Sequence, residues 1–150
     1  MSFKTTILTG TRFWLCIFII AFTTTRAIGQ ELLEEVDVCV YGGSSAGVIA
    51  AYTAAKLGMS VLLIEPGKHL GGLTAGGLGY TDIGNKYVVT GLSRDFYRRI
   101  GTHYGKFEQW IFEPGVAENI FKEYIRAANI TVWYDHRIVS ATKEDAIIQR

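Results

Sequence analysis

The chain has 150 residues, 49% of them hydrophobic and 19% charged, with 15 basic against 14 acidic side chains and a formal net charge of +1 at pH 7. Near-neutrality without a basic stripe excludes a nucleic-acid-binding surface. Two cysteines, Cys16 and Cys39, exclude a disulfide-built scaffold.

Residues 1–29 are expected to be an export signal. Lys4 and Arg12 supply a positive start, Phe13 to Phe22 (FWLCIFIIAF) an apolar core, and Ala27-Ile28-Gly29 a small-x-small cleavage site before Gln30. That core is shorter than the roughly 20 residues of a membrane-spanning helix; an uncleaved anchor is the alternative. No twin arginine precedes the apolar run, and Cys16 lacks the small-residue context of lipidation. The chain is therefore expected in the periplasm or outside the cell, without membrane association after cleavage. Cleavage leaves 12 basic and 14 acidic residues and one cysteine, so no internal disulfide can form. Cys39, in an apolar run, is expected to be a buried small hydrophobe.

Val36 to Tyr41 is rich in Val and reads as a strand buried on both faces. The stretch "YGGSSAGV" then leads into a predicted helix over Ala46 to Leu57, whose small residues favour close packing, with Gly58 as its C-terminal cap. Ser60 to Glu65 (SVLLIE) is a second buried strand, broken by Pro66-Gly67. Strand, helix and strand in about thirty residues form a parallel crossover unit, so the fold class is α/β.

His69 to Asn85 (HLGGLTAGGLGYTDIGN) has neither helical nor strand period. It is either a flexible linker or a backbone laid against a ligand; Leu70, Leu73, Leu78 and Ile83 and the scarcity of serine favour the ligand. Leu92 to Tyr104 and Gly115 to Ala128 read as amphipathic helices, the second entered through Pro114 and ended by Asn129. Ile130 to Tyr134 is a third strand, and Ile138 to Thr142 a fourth that turns at Lys143-Glu144-Asp145 to start an antiparallel hairpin. Because Ala146 to Arg150 opens like a strand with no turn after it, residues 30–150 are expected to be the N-terminal part of a longer protein.

The chemistry concentrates at the first glycine turn. A strand ending in Gly42-Gly43 and running directly into a helix presents unpaired N–H groups where a pyrophosphate would sit. Gly42-x-x-x-x-Gly47 fits G-x-G-x-x-G, Gly42 allowing the tight turn and Gly47 close helix–strand packing, but Ser44 replaces the middle glycine. Glu65, 23 residues after Gly42, stands where an acid accepts from ribose hydroxyls, and glutamine there is expected to lose only charge assistance, about 1–2 kcal/mol. Gly71-Gly72 adds a second glycine turn able to approach a dinucleotide from the far side, which nicotinamide dehydrogenases do not need.

At this point the sequence resembles the flavoproteins that begin with a Rossmann βαβ unit, an acid and a Gly-Gly motif. "VCVYGGSSAGVIAA", "GGLTAGGLGYTD" and "WIFEPGVAENIF" are similar to secreted or periplasmic bacterial FAD-dependent oxidoreductases, over Val36 to about Ala141. The resemblance implies a Rossmann-like FAD-binding domain with a β-hairpin crossover, incomplete at its C-terminus. It also implies that Gly42, Gly43, Ser44, Ser45, Ala46 and Gly47 wrap the pyrophosphate and Glu65 holds the adenosine ribose. Gly71, Gly72, Leu73 and Thr74 would border the ribityl-phosphate side, and the backbone at Ile138 would meet the adenine. The expected activity is hydride transfer from an unidentified small organic substrate to FAD, with residues 1–150 alone inactive. A nicotinamide-dependent dehydrogenase and a flavoprotein with structural or non-redox FAD are the alternatives. His69, Tyr80, Asp82, His103 and His136 are proton-transfer candidates with no motif behind them, and Arg94, Arg98 and Arg99 could meet an anion or form a solvated face. No metal site is expected, and no paired carboxylates are set for glycoside chemistry.

Overall fold

The computed structural model describes residues 35–145 and 147–149. The expected export signal, with Lys4, Arg12 and Cys16, lies outside them. Three strands, β1 (Val38–Tyr41), β2 (Val61–Glu65) and β3 (Thr131–Tyr134), form a parallel sheet in the order β1-β2-β3. Val38 is level with Val61, and Leu63 with Val132, so the inward positions of all three strands line up on one face. The helices α1 (Ser45–Lys56), α2 (Gly72–Ala75), α3 (Gly91–His103) and α4 (Pro114–Ala127) complete an α/β fold of the Rossmann type.

The centre of the sheet is β2, where Val61, Leu62, Leu63 and Ile64 are all buried, as its unbroken apolar run requires. β1 behaves differently from expectation. Among the described strands it pairs on one side only, with β2; Val38 and Val40 pack inward while Cys39 and Tyr41 are exposed. Cys39 is thus no buried hydrophobe, although partial desolvation still pushes its thiol pKa up and works against thiolate chemistry.

Val48 and Ala51 of α1 are fully buried, and α4 adds Val116, Ala117, Ile120, Phe121, Tyr124 and Ile125 at helical spacing. With Leu63 and Leu70, both at 0% exposure, they make one core on one face of the sheet. Burial of each such leucine contributes about 1.5–3 kcal/mol.

Three helices stop in the same way. At Gly58 (φ 90), Gly105 (φ 66) and Asn129 (φ 52) the chain turns left-handed, and the next amide reaches back to the carbonyl of Ala54, Gly101 or Ile125. Gly58 and Asn129 were legible as stops. The hairpin was misplaced: its strands are β4 (Thr142–Glu144) and β5 (Ile147–Gln149). Lys143 and Glu144, read as turn residues, pair with Ile148 and Ile147, and the left-handed residue is Asp145 at φ 53. Exposure of this ladder allows charged residues on a strand, and aspartate tolerates the left-handed region.

Candidate functional site

Two glycine turns and one carboxylate meet at the C-terminal end of the sheet. In the first turn, Gly42 donates to the Ile64 carbonyl at 2.8 Å and has φ 98. A Cβ there would meet nothing within 4 Å, so Gly42 is required by conformation and not by space. Gly47 is the reverse: its Cβ would fall 2.0 Å from the Gly42 carbonyl oxygen.

Ser44 explains the missing middle glycine. Its φ of −62 and ψ of 170 suit any L-residue, and its hydroxyl accepts from the Gly47 amide at 3.2 Å as the N-cap of α1. The side chain therefore replaces glycine at a position that needs no glycine conformation and caps the helix. The first-turn amides of α1, beginning with Ser45 and Ala46, have no carbonyl within the helix and lie at its positive end.

The Glu65 carboxylate is held on both sides. Oε2 accepts from the Gly43 amide at 2.5 Å and Oε1 from the Gly67 amide at 2.6 Å. Each oxygen retains acceptor capacity for a further donor. Gly43 makes this possible, because a Cβ there would lie 2.5 Å from Leu70 Cδ2 and 2.9 Å from Glu65 Oε2.

The second turn is attached to the first. Gly71 donates to the Gly43 carbonyl at 2.7 Å, and Ser44 and Gly71 form an isolated parallel bridge. The Ser45 hydroxyl lies 2.8 Å from the Gly71 carbonyl oxygen and 2.8 Å from the Thr74 hydroxyl. Gly71 (φ 104) has no room for a Cβ, which would be 2.5 Å from the Phe121 ring, and one on Gly72 would sit 3.2 Å from Ser44 Cβ. These glycines bring protein against protein, a use that the expectation of a backbone laid on a ligand did not include. Farther along, Gly79 accepts from Phe112 at 2.9 Å and Tyr80 bridges to Ile111, so the run is pinned and not a linker. Leu73, Leu78 and Tyr80 are exposed at 75%, 63% and 73%.

The other candidates stand apart from this centre. Ile138 is 42% exposed, in irregular chain between β3 and β4 and not in the strand expected for it. The nearby turn does approach the site, since His136 donates its amide to the Glu65 carbonyl and Asp135 to that of Gly67. The His136 ring lies 2.6 Å from the Tyr134 carbonyl oxygen, and His103 packs edge-on against Tyr104. Asp82 is exposed. His69 faces Glu118 at 3.2 Å; burial raises the Glu118 pKa, but hydrogen bonds from Lys122 and His69 outweigh it and hold the carboxyl low.

Arg94 and Arg98 both bond Glu108, whose pKa the Arg94 hydrogen bond lowers, while Arg99 bonds Asp95 and lies over the Tyr124 ring. These arginines thus hold α3 to its neighbours. Among the described residues no three His, Cys, Asp or Glu side chains gather as a metal site, and no helix is long and apolar enough to cross a membrane.

Leu70 and Phe121 were missed as site residues. The available signals were an apolar residue directly before Gly71-Gly72 and the buried stripe of α4.

A family model described as FAD dependent oxidoreductase matches residues 37–150. The chain is 36% identical over 103 residues to a thiamine thiazole synthase of Pyrococcus horikoshii, spanning 64% of this chain and 39% of that protein. It is 41% identical over 56 residues to a 3-oxosteroid 1-dehydrogenase of Mycolicibacterium smegmatis, 37% of this chain and 10% of the relative. Among solved structures, bacillithiol disulfide reductase from Staphylococcus aureus superposes with a TM-score of 0.52 at 16% identity, covering 77% of this chain and 33% of the reductase, a likeness of fold.

Proposed function

We propose that this chain, which belongs to the FAD dependent oxidoreductase family, contributes the pyrophosphate and adenosine-ribose half of an FAD site in an exported enzyme. The observation that carries the reading is the joining of the Gly42–Gly47 turn, the Glu65 carboxylate and the Gly71–Thr74 turn into one unit by backbone and side-chain hydrogen bonds. The parts fit a dinucleotide. Open space lies beyond Gly42, the positive end of α1 suits a diphosphate, and Glu65 keeps acceptor capacity for ribose hydroxyls.

In this reading Gly42, Gly43, Ser44, Ser45, Ala46 and Gly47 surround the pyrophosphate. Gly71, Gly72, Leu73 and Thr74 border the ribityl-phosphate side, and the chain at Ile138 lies toward the adenine. FAD, when bound, accepts a hydride from the substrate. The residues of this chain bind and orient the cofactor; none of its histidines is assigned a proton-transfer role. The substrate is an unidentified small organic molecule.

The test is the cofactor content of the full-length protein. Chromatography of released ligand should give FAD in stoichiometric amount; NAD, or no dinucleotide in folded protein, would overturn the reading. A second reading has one observation in its favour, since a curated relative aligned over 64% of this chain is named as a synthase and not as an oxidoreductase. In that case FAD would be bound without redox turnover. Bleaching of the bound flavin by substrate under anaerobic conditions separates the two.

Export is proposed on the apolar run flanked by Lys4 and Arg12. The mature protein should begin at Gln30 by mass spectrometry, and a product retaining Met1 or Ser2 would rule cleavage out.

A further inference from the structure

We infer that Ser45 is a positioning residue, whose hydroxyl pairs with Thr74 to fix the spacing between the two glycine turns and does not itself bind phosphate. The inference deepens the FAD reading above and rests on it.

A serine hydroxyl has one hydrogen. The Gly71 carbonyl, 2.8 Å from Ser45 Oγ, can only accept, so Ser45 donates there. The Thr74 hydroxyl, also 2.8 Å away, then supplies the hydrogen of the second bond. Ser45 is left with no hydrogen for an anion, and Thr74 spends its own on Ser45. An ionised phosphate oxygen needs donors, and here Ser45 has committed its hydrogen to the Gly71 carbonyl and Thr74 its own to Ser45.

Ser45 is half-buried at the first position of α1, and Thr74 lies in the short helix α2. Their bond therefore links the anion-facing end of one helix to the turn after the other Gly-Gly pair. Gly71 N–H to Gly43 and the close approach of Gly72 to Ser44 set the same spacing from the backbone. The backbone contacts bring the turns together, and the hydroxyl pair fixes the outer end of the second one. Only a ligand that touches both turns would sense that spacing.

ADP and FAD separate the possible roles, because both carry the two phosphates but only FAD continues into the ribityl chain that runs along the second turn. In the full-length protein freed of cofactor, Ser45→Ala should weaken FAD binding about tenfold, as loss of one to two hydrogen bonds implies. ADP affinity should stay within about twofold of wild type. Thr74→Val should reproduce the effect, Thr74→Ser should restore it, and the double variant Ser45→Ala/Thr74→Val should be no worse than either single one.

An equal loss of ADP and FAD affinity would make Ser45 a phosphate ligand and overturn the inference. Unchanged FAD affinity, or additive losses in the double variant, would do the same. Failure of the wild-type protein to bind FAD removes the FAD reading alone; the pairing is then read from thermal midpoints, where non-additive shifts in Ser45→Ala/Thr74→Val support it and additive shifts overturn it.

Discussion

Gly47→Ala is expected to leave the full-length protein without bound FAD and with its stability reduced by about 3 kcal/mol or more. The added methyl would be centred 2.0 Å from the Gly42 carbonyl oxygen, against backbone that cannot swing aside. Relief requires α1 to move off β1. That movement disturbs the packing of Val48 and Ala51, both at 0% exposure, and carries the first-turn amides away from the pyrophosphate position. Gly42→Ala provides the contrast, since its Cβ meets nothing within 4 Å and its cost is the left-handed φ of 98 alone, about 1–2 kcal/mol. Thermal unfolding and cofactor occupancy of the two variants check the order. A Gly47→Ala protein with wild-type stability and full occupancy would mean that the turn has slack this geometry denies.

These two glycines illustrate what was legible from sequence. Their spacing identified a strand–turn–helix, and both were assigned correctly to tight turn and close packing, because local backbone chemistry depends on near neighbours. Ser44 was a puzzle in sequence because the fingerprint names a residue type and not a conformation. At φ −62 the position does not ask for glycine, and the N-cap role becomes visible only with the helix start in view.

Contacts between distant segments were out of reach. Nothing in the string says that Gly71 faces Phe121, 50 positions later, or that Gly43 must leave space for Leu70 and Glu65. The exposure of Cys39 and Tyr41 had a similar origin, since a strand paired on one side and a strand paired on both are alike rich in Val and Ile and differ only in what flanks them. The hairpin was misread because Lys143-Glu144-Asp145 has turn composition, and an exposed ladder does not penalise charge.

Glu65→Gln is expected to behave almost as badly as Glu65→Ala, raising the Kd for FAD about a hundredfold and lowering the thermal midpoint even of cofactor-free protein. The sequence-based expectation of 1–2 kcal/mol counted only the charge lost from a ribose hydrogen bond. In the folded chain both carboxylate oxygens already accept backbone hydrogens, from Gly43 and from Gly67. A glutamine has one acceptor oxygen, so whichever way its amide turns, an NH2 group faces an N–H group. One of the two amides then loses its acceptor in a half-buried turn, at about 1–3 kcal/mol, in addition to the lost charge. The donor conflict acts without any ligand, whereas a purely ribose-binding carboxylate would leave the free protein's stability unchanged. Unfolding of the cofactor-free variant is therefore the decisive measurement. A wild-type midpoint with only a severalfold loss of FAD affinity would show that Glu65 serves the ribose alone and that the clamp on Gly43 and Gly67 contributes nothing to the fold.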